Sequence, residues 1–129
     1  MVFPLSDADA ATMELDDYGP LAPPVGTPLV GPMATSGKVF WRAANGVVFT
    51  GIWECGAGRM RADFGNDGEL VHVVKGTLRA VADEDGAEVV VRTGESATFP
   101  PFWSGVWHLD EPMRKVFCVF DFSSLAAVE

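Results

Sequence analysis

Cysteine and histidine are scarce. The chain of 129 residues has two of each: Cys55 and Cys118, His72 and His108. Neither cysteine belongs to a Cys-x-x-Cys pair, so no zinc ribbon or dithiol redox motif is on offer. Both lie in apolar segments, which predicts reduced core thiols rather than a disulfide. Basic residues are also few, nine against eighteen acidic ones, for a formal net charge of -9. Such a field repels nucleic-acid phosphates and anionic lipid headgroups, so neither a nucleic acid nor a membrane is an expected partner. No apolar run approaches the roughly 20 residues that a membrane-crossing helix needs. Residues 1–9 lack the basic start and long apolar core of a signal peptide, and the expected compartment is the cytoplasm.

What is present is core-forming material: 48% of residues are hydrophobic and 11% aromatic, enough for one packed domain of this length. Six of the nine prolines (Pro4, Pro20, Pro23, Pro24, Pro28 and Pro32) fall near the N-terminus. No helical or strand periodicity accompanies them, which predicts an extended Pro-rich arm over residues 1–37, wrapped on the barrel or a partner subunit or left as a loose tail. From Lys38 the pattern changes to short runs rich in Val, Phe, Trp and Thr. They predict strands over 38–43, 47–55, 59–64, 69–75, 76–83, 88–92, 96–99, 105–109 and 114–122. Asn45-Gly46 is the strongest hairpin signal, because a type I′ turn needs positive φ at both central residues. Residues 38–129 therefore read as an all-β sandwich or barrel with little helix.

One spacing pattern carries more specific information. Gly56, Ala62, Phe64, Glu69 and Gly76 form a first block, and Gly94, Pro100, Phe102, Gly105 and Leu109 a second. The spacing resembles the two cupin motifs, in which His-x-His and a glutamate meet a third histidine inside the barrel. The stretch from Phe99 to Lys115, with Trp53, Glu54 and Cys55 upstream, narrows the resemblance. It is similar to small single-domain cupins related to the ureidoglycine aminohydrolase cupin domain and the ethanolamine-utilisation Q-type cupins, over about residues 38–122. The resemblance implies a cupin-type double-stranded β-helix, that is, a jelly-roll barrel. Of the family's metal ligands only the glutamate is retained, as Glu69; the histidine positions hold Ala62, Phe64 and Gly105. A transition-metal site needs three or four converging donors. His72 and His108 do not supply them, because strand alternation turns His72 away from Glu69 and His108 away from Gly105. Neither a metal nor another cofactor is expected.

The candidate site is built around Glu69. Facing into an apolar barrel it would be a desolvated proton donor or acceptor; held by basic or backbone donors at the rim it would be structural. Trp53, Phe64, Trp103 and Trp107 are candidate walls of a ligand pocket, or alternatively plain core. Arg59, Arg61, Arg114 and Lys115 suit a carboxylate-bearing ligand or, ahead of that in an acidic protein, structural ion pairs. Of the four, Arg61 is the cation placed with the candidate pocket. Asp83, Glu84 and Asp85 read as a charged hairpin turn rather than a calcium loop. Three functions remain open: a metal-free barrel binding a small polar or carboxylate metabolite, with acid/base chemistry by Glu69; a metal-dependent enzyme similar to ureidoglycine aminohydrolase; and a noncatalytic structural or regulatory dimer. Catalysis is left open, and a homodimer is expected because exchanged arms or paired edges hide ladder groups.

Overall fold

The computed structural model describes residues 2 and 4–122. The Asn45-Gly46 turn joins β3 (Ala34–Arg42) to β4 (Val48–Cys55). Gly46 has φ +73°, which a residue without Cβ adopts at no steric cost, and the Asn45 side-chain oxygen accepts from Val47 N at 3.3 Å. The chain continues through β5 (Gly58–Asp63), β6 (Asp67–Lys75), β7 (Thr77–Ala82), β8 (Glu88–Arg92), β9 (Ser96–Phe99), β10 (Ser104–Leu109) and β11 (Met113–Asp121). All nine strands expected over residues 38–122 are present.

The strands form two antiparallel sheets. With β1 (Asp16–Pro20) and β2 (Thr27–Pro28), the six-stranded sheet runs β1-β3-β4-β11-β6-β9 and the five-stranded sheet β2-β5-β10-β7-β8. Alternate side chains of each strand face the other sheet. Trp53, Cys55, Val71, Val73 and Met113 from the larger sheet therefore meet Met60, Leu78, Ala80, Trp107 and Leu109 from the smaller in one core cluster.

The described residues of the segment expected as an extended arm, within 1–37, lie against this barrel and carry regular elements. This segment holds the helix α1 (Asp7–Thr12) and strands β1 and β2, which pair with β3 and β5 respectively. Ser6 caps the helix, its Oγ accepting from Asp9 N at 3.1 Å. Ala10 packs with Ile52 and Val74 in a second cluster, against Leu5, Met13 and Val116, on the outer face of the six-stranded sheet. Arg114 fixes the helix there: its Nη1 donates to the carbonyls of Ala10 and Met13 at 2.8 Å each, and its Nε to Glu54 at 2.9 Å. Leu21 and Met33 belong to the main core. A six-residue helix is too short to show a periodic face, and Asp-Asp-Tyr-Gly-Pro has no apolar alternation, so composition pointed elsewhere. Residues 123–129 of the expected barrel segment lie outside the described residues. Among the described residues no helix is long and apolar enough to cross a membrane.

Candidate functional site

Directly paired residues on neighbouring strands point to the same face of a sheet. One such row crosses the larger sheet through Arg42, Phe49, Val119, Glu69 and Phe99, on β3, β4, β11, β6 and β9. A parallel row carries Trp53, Lys115 and Val73. Both face the barrel interior, and between them lies Gly51 beside Phe117, where an added Cβ would press on the Phe117 ring. These rows frame a half-open cavity of about 480 Å³. Trp53, Phe64, Trp107 and Phe117 give it apolar walls, Glu69 and Lys115 lie among them, and Lys38, Arg42, Asp63 and Asp67 add charged groups.

Glu69 and Lys115 are ion-paired through Oε2 and Nζ, with side chains 6% and 8% exposed. The Lys115 ammonium also lies 4.9 Å from the Trp53 ring centroid, 4.9 Å from that of Trp107 and 5.4 Å from that of Phe117. Aromatic faces attract a cation, so the charge is held by three rings and one carboxylate. Trp107 brings a second donor: its Nε1–H is buried and has no partner among the described residues. Burial raises the Asp67 carboxyl above its usual range, and the Asp121 carboxylate adds to the effect.

Glu69, Trp53, Phe64 and Trp107 thus meet at the cavity. Trp103 and Arg61 do not. Trp103 packs edge-on against Phe99 at 5.1 Å and Phe64 at 6.0 Å between ring centroids. It fills the space beside Gly105, where an added Cβ would fall on the Val81 carbonyl and the indole. Arg61 lies between the inward-facing Met60 and Ala62, so alternation sends it outward. There it pairs with Asp83, and with Asp63 at 3.2 Å. The guanidinium bond holds the Asp83 carboxyl below its usual range.

Both histidines lie outside the cavity. His72 Nδ1 is 2.7 Å from Ser96 Oγ and its Nε2 is 3.0 Å from Asp7, joining α1 to the outer face of the larger sheet. His108 pairs in register with Arg59 and Arg79, and burial followed by those two positive charges lowers its pKa. Both cysteines are free thiols, Cys55 buried and Cys118 partly so; burial pushes the Cys55 thiol up to about 11.

Lys115 is the residue that composition alone left among structural cations. The signal was the alternation Met113, Lys115, Phe117, Val119, which puts one lysine on an otherwise apolar face.

The metal that the motif spacing implies finds no suitable donors. Ala62 and Gly105 are register partners inside the barrel, and Phe64 stacks on Phe99 at 5.6 Å. These positions converge without a ligating atom, and the one carboxylate is already bonded to an ammonium. Among the described residues no group of three His, Cys, Asp or Glu is placed to hold a metal ion.

Comparison with known proteins agrees with the two-sheet fold. A family model described as the EutQ-like cupin domain matches residues 42–117. A protein of unknown function from Pseudomonas syringae pv. tomato, placed in the DUF861 family, superposes with a TM-score of 0.71 at 16% identity over 84% of the chain. The chain spans 45% of that protein's length. The EutQ protein of Clostridium difficile superposes with a TM-score of 0.58 at 17% identity, covering 70% of each chain. A putative ethanolamine utilization protein Q from Salmonella typhimurium gives 0.60 at 12% identity, over 85% of this chain and 98% of that one. At these identities the likeness is one of fold. No curated protein matches the chain in sequence.

Proposed function

The chain belongs to the EutQ-like cupin family, and from that premise we propose that its barrel binds a small organic molecule presenting a carboxylate or carbonyl oxygen to Lys115 and Trp107. The observation that carries the reading is the Trp107 Nε1–H, buried without an acceptor among the described residues, on a side chain that lines the cavity. An unsatisfied buried donor costs about 1–3 kcal/mol, a cost that an acceptor atom would remove. Lys115 has three donor hydrogens and Glu69 engages one side of the ammonium, so the neighbouring cation can serve the same acceptor. A volume of about 480 Å³ lies within the roughly 300–1,000 Å³ of small-molecule sites. Glu69 is the acid/base group of this reading, within proton-exchange reach of Lys115. A metal-dependent reaction similar to that of ureidoglycine aminohydrolase has no support in the donor set.

Thermal unfolding and tryptophan emission, followed against small mono- and dicarboxylates, test the reading. Binding compounds raise the midpoint and perturb the emission of Trp53 and Trp107, alkylammonium ions of equal size do neither, and Trp107→Phe weakens binding about fivefold to tenfold. A panel in which no carboxylate or carbonyl compound moves either signal would refute it.

A further inference from the structure

We infer that Lys115 is an amine nucleophile that forms an imine with a small aldehyde or ketone in the barrel. The inference rests on the cavity being a ligand pocket and names the class of compound it takes. Three features coincide at this side chain. Lys115 lines the cavity, with its ammonium ion-paired to Glu69, which lines the same cavity. Its sole carboxylate partner among the described contacts is Glu69, itself buried, placed to take a proton from Nζ and return it. The rings of Trp53, Trp107 and Phe117 surround the nitrogen and favour a cation of either kind, the starting ammonium or the product iminium. The unpartnered Trp107 Nε1–H is a donor for oxygen on the incoming compound.

The proton count closes on these two side chains. Lys115 transfers one ammonium proton to the Glu69 carboxylate, leaving a neutral amine and a carboxylic acid, a pair that a desolvated site tolerates. The nitrogen lone pair then forms the N–C bond while the carbonyl π electrons move to oxygen. Glu69 protonates that oxygen and recovers a proton from nitrogen, giving the neutral carbinolamine. In the second half Glu69 protonates the hydroxyl, the C–O bond breaks, water leaves, and the nitrogen lone pair forms C=N. The three ammonium hydrogens end as two in water and one on the iminium, whose charge faces the restored carboxylate. Iminium formation turns the bound carbonyl carbon into an electron sink, the activation that lysine nucleophiles supply generally.

The test is reductive trapping on the intact protein with butanal and sodium cyanoborohydride at neutral pH, followed by peptide mapping. The chain has three lysines, Lys38, Lys75 and Lys115, and the side chains of the first two are 42% and 51% exposed. The expected result is a butyl group on Lys115 ahead of both, with Glu69→Gln slowing the trapping about a hundredfold, the scale of one positioned acid/base group. Lys115→Arg, which keeps the charge and forms no imine, leaves only slow labelling of Lys38, Lys75 and the α-amine. Labelling of the wild-type protein that follows exposure and spares Lys115 would overturn the inference. Butyrate, which offers the same chain without an electrophilic carbonyl, separates it from the pocket reading. If butyrate raises the unfolding midpoint while Lys115 stays unmodified, the imine fails and the pocket stands; if butyrate is also without effect, both fail.

Discussion

Glu69 on β6 and Lys115 on β11 form an ion pair in which both side chains are more than nine-tenths buried, 46 residues apart in the chain. Little of either side chain is open to solvent. Replacing one partner strands the other in an apolar cavity, which for buried pairs costs about 3–5 kcal/mol, whereas replacing both by neutral groups of similar shape is often close to neutral. Lys115→Met is therefore expected to lower the unfolding free energy by about that amount, and Glu69→Gln/Lys115→Met to recover most of it. Urea denaturation of the four proteins in the double-mutant cycle measures the coupling; additive single effects would show that the pair is not energetically linked.

Arg114 makes a separate prediction on the opposite face of the same strand. Its bonds to the Ala10 and Met13 carbonyls and to Glu54 fasten α1 to the sheet, and the guanidinium is nearly buried. Arg114→Ala should destabilise the protein by about 3 kcal/mol. Amide exchange should rise in residues 7–20 before it rises in β4 or β6. Uniform acceleration across all strands would contradict the strut role.

The thiols are expected to separate by reactivity. With its pKa at about 11, Cys55 is a thiolate in about one molecule in a thousand at pH 8, and it is also shielded. Cys118 is raised too, by burial and by the Glu69 charge, yet remains partly exposed. Iodoacetamide should alkylate Cys118 first, as mass mapping would show; early modification of Cys55 would mean that the barrel opens readily.

His108 fixes a pH dependence. Burial, Arg79 and Arg59 hold its folded pKa below the ordinary 6.5, so between that pKa and the unfolded value the unfolded chain binds more protons. Stability from this residue is complete above the unfolded pKa and is lost as pH falls through the window below 6.5. An NMR titration should place the His108 midpoint below that of the unfolded chain, and Arg79→Gln should move it upward. A midpoint at or above the ordinary value would invert the sign.

The strands from β3 onward were legible because each joins a turn signal to a run whose alternate residues are apolar, as in Phe49 to Cys55 after the Asn45-Gly46 turn. Glu69, Trp53, Phe64 and Trp107 line the cavity, and strand parity is the feature that turns Glu69, Trp53 and Trp107 inward. Parity separates the two cations: Arg61 falls between inward residues and pairs with Asp83 and Asp63 outside, while Lys115 falls in the inward row with Phe117 and Val119. The N-terminal elements were hidden because what holds them is distant. β1 is held by pairing with β3 and by the Thr35 hydroxyl bonded to the Gly19 carbonyl at 2.8 Å, and α1 by an arginine 104 residues away.

The same stretch of chain edges both sheets, β1 on the larger and β2 on the smaller, with Leu21 between them in the core. During synthesis β2 and α1 leave the ribosome well before their partners on β5 and β11 exist, and only β1 has its partner strand, β3, close behind it. Contacts this far apart in the chain slow folding. The nascent protein must carry this segment as an unsatisfied edge until the rest of the barrel arrives, the interval in which a chaperone or a second nascent chain could most readily capture it.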